Sequence, residues 1–204
     1  MKSRFLIVSG PTREPLDPVR FLSNYSTGVM GRYLNEAAKA RGHKVSWVQC
    51  PGDAETAIDL LKKLKALLSQ HDVLVMAAAV ADVRPASKSA KKLKKGVLKN
   101  IRLVKNPDIL AILAKQKTRK QVFVGFALES ENSLENGAKK LQSKNLEAIV
   151  LQRVTSKQKP FGETPVWAGI LKADGSLKSW KSISKKELAK NIIRQAEESL
   201  VEKS

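Results

Sequence analysis

The chain has one cysteine, Cys50, and two histidines, His43 and His71, among its 204 residues. A single thiol excludes an internal disulfide and points to a reducing compartment. So few soft and imidazole ligands argue against a zinc or haem centre. Aromatic residues make up only 5% of the sequence, too few for the stacking platforms that hold single-stranded nucleic acid. Long apolar runs are missing as well: VLVMAAAVA, among the longest, falls far short of a bilayer span. The opening MKSRFLIVSG carries two positive charges but no full apolar region or small-residue cleavage pattern, so it reads as a first strand. Acidic residues number 19 against 38 basic ones, a net charge of +19. Positive potential of that size attracts nucleotides, acidic metabolites or nucleic acid. No helix-turn-helix, RRM or zinc pattern selects the last of these, and no GxGxxG turn or P-loop is present. The cysteine usage predicts a cytoplasmic protein, and the charge by itself does not say which anion it meets.

An apolar share of 42% is enough for a real core, and the length fits one domain over residues 1–204. Phe5 to Ser9 reads as a buried strand. Met30, Tyr33, Leu34, Ala37 and Ala38 recur at helical spacing, with Gly42 as the closing glycine. Lys44 to Cys50 is a second strand, Ala54 to Leu68 an amphipathic helix, and Val73 to Ala78 a third strand, apolar throughout. A basic, weakly patterned stretch runs from Arg84 to about Lys99. Asn106-Pro107-Asp108 then predicts a helix start with Asn as N-cap. Gln121 to Leu128 is a fourth strand, Asn132 with Glu135 opens a helix ending near Lys144, and Ala148 to Gln152 is a fifth strand. Such alternation predicts an α/β fold: a doubly wound, mainly parallel sheet with helices on both faces, Rossmann-like and three-layered. A C-terminal β-hairpin extension (about 166–183, turning at Asp174-Gly175) follows. Ser184-Lys-Lys-Glu187 then caps a final helix whose Leu188, Ile192 and Leu200 face the core.

Four unusual segments fall at the carboxyl ends of these strands, where open α/β sheets bind ligands. Between Gly10 and Thr27 the chain is far longer than an ordinary connection of about 2 to 6 residues. Prolines at 11, 15 and 18 argue against a regular element there, yet Leu16, Val19, Phe21, Leu22 and Tyr25 suit a docked loop rather than a disordered one. It ends in Ser26-Thr27-Gly28 at a helix start, where free N–H groups can hold phosphate; the alternative is a capped helix behind a polar loop. Met76 to Ala81 is small-residued and ends in Asp82, an acceptor for ribose hydroxyls or a hydrated metal, or else a turn residue. Lys88 to Gly96 is either a positive flap that closes on phosphates or a solvated lysine run. Phe126 ends a strand and can stack on a base or sit in the core. Lys140 and Lys144, one turn apart, repel each other unless an anion is near. Four such signals at one sheet edge favour a nucleotide-phosphate site.

In order, SGPTREPLDPVRFLSNYSTGVMG, AAAVADVRP, KKLKK, VKNPDILA and VGFALESEN…KKLQSKNLEAIV resemble the motifs of the phosphopantothenate–cysteine ligases. The likeness runs to about Leu151. It implies amide formation between 4′-phosphopantothenate and L-cysteine through an acyl-cytidylate, with CTP as cosubstrate and Mg²⁺ held mainly by the triphosphate. Asn24 matches the asparagine that handles the acyl-nucleotide, and Lys92 the flap lysine; both are the catalytic candidates. Gly10, Ser26, Thr27, Gly28, Met76, Ala77, Ala78, Asp82, Pro107, Asp108, Ile109, Leu110, Phe126, Lys140 and Lys144 match or accompany nucleotide contacts. Two positions depart: Val29 stands where the family often has Lys, and Val83 where an aromatic follows the aspartate.

Relatives are often fused behind a flavin-dependent decarboxylase, and nothing here precedes the first strand. The likeness therefore implies the stand-alone form, with a separate phosphopantothenoylcysteine decarboxylase as a conceivable partner. It also implies a homodimer. The hairpin supplies a physical reason, since Trp167, Ile170, Leu171, Leu177, Trp180 and Ile183 need a surface, either a second copy or the chain's own helices. A basic nucleic-acid-binding protein on the same scaffold is the alternative; nucleic acid and membrane are not expected partners.

Overall fold

The computed structural model describes residues 2–155 and 160–203. Strand β1 (Arg4–Pro11) lies inside a seven-stranded sheet between β4 (Lys44–Gln49) and β5 (Val73–Ala79), parallel to both. Beyond β5 come β8 (Val122–Glu129) and β9 (Ala148–Arg153), also parallel. The hairpin β10 (Val166–Lys172) and β11 (Leu177–Ile183) completes that side, antiparallel. Alternation along β1 explains the two-sided core. Leu6 and Val8 face one layer with Leu60 and Leu64 of helix α2 (Ala57–Leu67), Leu113 of α3 (Ile109–Ala114) and Leu141 of α4 (Ser133–Ser143). Phe5 and Ile7 face the other, with Leu34 of α1 (Val29–Ala40) and Leu188, Ile192 and Ile193 of α5 (Lys185–Val201). Burial on both faces requires strands as uniformly apolar as VLVM.

Four sequence expectations change. The long opening segment is not structureless: β2 (Arg13–Asp17) and β3 (Arg20–Ser23) pair antiparallel, with a register irregularity between Pro15 and Asp17. A proline is tolerated on a two-stranded ribbon at such an irregularity because no ladder bond needs its missing N–H. The basic stretch likewise begins with β6 (Val83–Pro85), which pairs with β7 (Leu103–Lys105). Asp108, not Asn106, caps α3, its carboxylate accepting from Ala111 N–H at 3.1 Å. Asn132 enters α4 at φ +48° with no side-chain cap, while Glu135 pairs with Lys139 at 2.7 Å.

The hairpin finds its surface within the chain. Val166, Ala168, Ile170 and Ile183 are buried with the residues of α5, and Leu177 and Trp180 pack on the opposite cluster. Lys178 and Lys181 sit on the outer strand, where charge discourages further strand pairing.

Candidate functional site

The carboxyl ends of β5, β8 and β9 open into one cavity of about 550 Å³. It lies where successive strands are laid down on opposite sides of β1, the switch point at which open α/β sheets take ligands. Ala77, Ala78, Ala79 and Val80 form one wall, so that small side chains leave the backbone approachable. That wall is held open from outside. Thr12 Oγ1 accepts from Ala81 N–H at 3.0 Å, Asn24 Nδ2 donates to the Val80 carbonyl at 2.9 Å, and Asn106 Nδ2 donates to the Ala81 carbonyl at 2.8 Å. Asn24 thus keeps a second N–H and its carbonyl oxygen for a ligand.

The start of α1 forms the facing wall. Gly28 occupies the N-cap at φ +72°, a conformation suited to glycine, and no side chain caps the helix. The first turn carries no acidic residue. Gly31 allows close approach to β1, since a Cβ there would come within 2.1 Å of Ser9 Cβ. Ser26, Thr27, Gly28, Val29, Met30 and Gly31 all line the cavity. An uncapped helix start of this kind offers its first N–H groups and the positive end of its dipole to an anion.

Of the other residues singled out in the sequence, Asp82, Phe126 and Lys140 reach the cavity wall. Met76, Ile109 and Leu110 go into the core instead. Gly10 supports the site from behind: its φ is +81°, and a Cβ would lie 2.0 Å from the Cys50 carbonyl oxygen. Lys144 pairs with Asp108 at 3.1 Å, outside the cavity lining with Pro107. Lys140 pairs with Glu129 at 2.6 Å. The anions that the lysine pair calls for are therefore carboxylates of the chain itself.

Lys92 is exposed and outside the cavity lining. Its segment is anchored at the next residue. Leu93 N–H donates to Asp17 Oδ2 at 3.1 Å, and the Leu93 carbonyl accepts from Arg20 Nη2 at 2.7 Å. Burial pushes the Asp17 carboxyl up, but the Val19 and Leu93 N–H groups and Arg20 outweigh it and hold it below the usual range.

A further wall was missed in the sequence: Pro160, Phe161 and Lys185, with Gln152 from β9 and Tyr25 from the opening loop. Phe161 approaches Tyr25 with ring centroids 5.7 Å apart. Glu163 fixes the segment to α1 by accepting from Tyr33 OH at 2.7 Å and Arg32 Nη2 at 2.6 Å, and the Tyr33 bond is the main influence holding its carboxyl low. Phe161 follows the region of regular alternation, and only its PFG punctuation marks it in the sequence. Among the described residues, no group of three or more His, Cys, Asp or Glu is placed to hold a metal ion. No helix is long and apolar enough to cross a membrane, again among the described residues.

A family model described as the DNA/pantothenate metabolism flavoprotein C-terminal domain matches residues 1–200. A cysteine/cysteine sulfinic acid decarboxylase from an unknown prokaryotic organism is 37% identical over 205 residues, covering 94% of this chain and 57% of that protein. The coenzyme A biosynthesis bifunctional protein CoaBC of Escherichia coli (strain K12) is 37% identical over 171 residues, covering 76% of this chain and 42% of that protein. The chain thus spans about half the length of these curated relatives. The crystal structure of the C-terminal domain of a CoaBC protein superposes with a TM-score of 0.79 at 32% identity, covering 98% of this chain and 96% of the other.

Proposed function

We propose that this chain, which belongs to the DNA/pantothenate metabolism flavoprotein C-terminal domain family, is a ligase of coenzyme A biosynthesis that joins 4′-phosphopantothenate to L-cysteine. One observation carries the reading: a cavity at the switch point whose walls are an uncapped helix start and a strand end of small residues. In the proposed reaction a carboxylate oxygen of phosphopantothenate attacks the α-phosphorus of CTP, and pyrophosphate leaves. The cysteine amine then attacks the acyl carbon, CMP leaves with the former carboxylate oxygen, and the amine loses a proton.

The residues suit this division of labour. The N–H groups of the first turn of α1 hold phosphate oxygens. The free N–H of Asn24 donates to the oxygen that gains charge as the amine attacks, and a neutral amide does not compete as a nucleophile. Asp82 is an acceptor for ribose hydroxyls, Phe126 flanks the base, and Lys92 reaches the phosphates when its segment closes. Magnesium belongs to the proposal as the counter-ion of the triphosphate. Such an ion binds through phosphates and one or two carboxylates. A cytoplasmic location and transfer of the product to a decarboxylase on another chain are part of the same proposal. So is a homodimer; its support is now the exposed Val19 and Phe21 on the β2–β3 ribbon and Ile101 and Leu103 beside and within β7.

Pyrophosphate release with phosphopantothenate tests the reading, comparing CTP with ATP, with and without cysteine. Release that needs phosphopantothenate, and amide product that needs cysteine, are expected. No release with either nucleotide overturns it.

A further inference from the structure

Among the described residues two lysines line the cavity, Lys140 and Lys185. The first is neutralised by Glu129. The second is not. Lys185 opens α5, is only 4% exposed, and its ammonium donates to the carbonyls of Pro160, at 2.9 Å, and Gly162. Neither acceptor carries a formal charge. The one carboxylate that influences it, Glu163, acts at a distance and has its two oxygens bound by Arg32 and Tyr33. Burial accordingly pushes the Lys185 ammonium down.

A buried cation held only by neutral groups is costly, and an anion beside it recovers part of that cost. An ammonium has three donors, and the two carbonyls take two of them. Among the described residues the third has no partner, and it can turn to a group in the cavity that Lys185 lines. That cavity already presents an uncapped helix start, so both of its positive features favour the same class of ligand.

We propose that Lys185 binds a phosphoryl oxygen of the ligand held in this cavity. The identity of that ligand, CTP or 4′-phosphopantothenate, rests on the ligase reading; the chemistry rests on the cavity alone. Lys185 is then a binding residue of the site rather than only a staple for the Pro160–Gly162 turn. The candidates from the sequence, Lys140 and Lys144, are occupied by Glu129 and Asp108, and the positive charge that they were expected to supply comes from the start of the last helix.

The test is calorimetric titration of wild type, Lys185→Gln and Lys185→Arg. Gln can still donate to the two carbonyls but has no charge; Lys185→Met is a further variant should Gln not fold. Each protein is titrated with two pairs of ligands, CTP against cytidine and 4′-phosphopantothenate against pantothenate. The expected result is binding at least about ten-fold weaker for one phosphorylated member with Gln, little change for its unphosphorylated partner, and recovery to within about three-fold with Arg. The pair affected identifies which phosphate Lys185 meets. Unchanged affinity for both phosphorylated ligands in a folded neutral variant overturns the proposal. Equal weakening within a pair also overturns it, because that is the mark of a misplaced turn. Wild type that binds neither phosphorylated ligand overturns the ligase reading instead. Inorganic pyrophosphate, titrated against the same variants, then decides Lys185 on its own.

Discussion

The two ends of the central sheet treat charge in opposite ways. At the amino ends of the strands, ionisable groups are matched, the buried ones among them. Lys117, its side chain 2% exposed, lies 2.7 Å from Glu147, which also meets Lys203 at 2.8 Å and accepts from Phe123 N–H at 2.7 Å. His43 Nε2 is 2.8 Å from Glu197, which Arg41 holds at 2.7 Å, and Arg4 meets Asp72 at 2.9 Å. At the carboxyl ends the matching is incomplete: Lys140, Lys144 and Arg32 meet Glu129, Asp108 and Glu163, but a basic run and a buried lysine are left over. Arg84, Lys88, Lys91, Lys92, Lys94, Lys95, Lys99, Arg102 and Lys105 follow one another with no acid between Asp82 and Asp108. Lys185 is buried without a counter-ion within bonding distance among the described residues. One end uses charge to close the structure; the other leaves it available to a ligand.

That contrast can be broken by experiment. The largest effect is expected at the matched end. Glu147→Leu strands Lys117 without its partner and should cost about 3 to 5 kcal/mol in denaturant unfolding, with ligand affinity of the folded fraction unchanged. A loss under about 1 kcal/mol would mean that this end is not a lock.

Next comes Asn24→Asp at the open end. It should leave activation intact and slow amide formation about 10² to 10³-fold, so that acyl-nucleotide accumulates in a quench experiment. Thermal stability should fall only slightly, because the exposed Asn24 loses one hydrogen bond, to the Val80 carbonyl. Full turnover would remove Asn24 from the chemistry.

Lys92→Ala is expected to lower kcat/KM about ten-fold or more, roughly 1.4 kcal/mol of transition-state binding, with smaller losses at Lys91, Lys94 and Lys95. Equal small losses at all four would make the run a solvated surface.

The smallest and most discriminating effect concerns Asp17, a matched group at the less matched end. Its folded carboxyl is held low, so its stabilising contribution is present above the ordinary carboxylate range and disappears as pH falls through the folded value. The melting-temperature gap between wild type and Asp17→Asn should therefore be widest near neutral pH and narrow below about pH 4. A gap constant down to pH 2 would show that the anchor of the Lys92 segment does not depend on this charge.

The matched end and the core were largely legible in the sequence, because FLIV, VLVM and the helical spacings are local patterns. The ribbon β2–β3 was not, since Pro15 argues against a strand unless a register irregularity is known in advance. The lysine pair on α4 was recognised as needing anions, but helix spacing cannot show Glu129 on a strand or Asp108 before another helix. Lys185 lay inside a recognised capping pattern, Ser184 accepting from Glu187 N–H at 3.2 Å. Its own partners are carbonyls more than twenty residues away, and no short pattern announces them.

Cys50 follows β4 directly and lies beside Gly10, outside the cavity lining. Burial, with the Asp53 charge adding to it, pushes this thiol up to about 11. At neutral pH the group is therefore held as the neutral thiol. An acyl-nucleotide is an electrophile that any nearby thiolate would intercept as a thioester. A protein that activates an acid for capture by free cysteine would thus keep its own sulfur chemically silent, and the acyl group would pass to the substrate amine rather than to the enzyme.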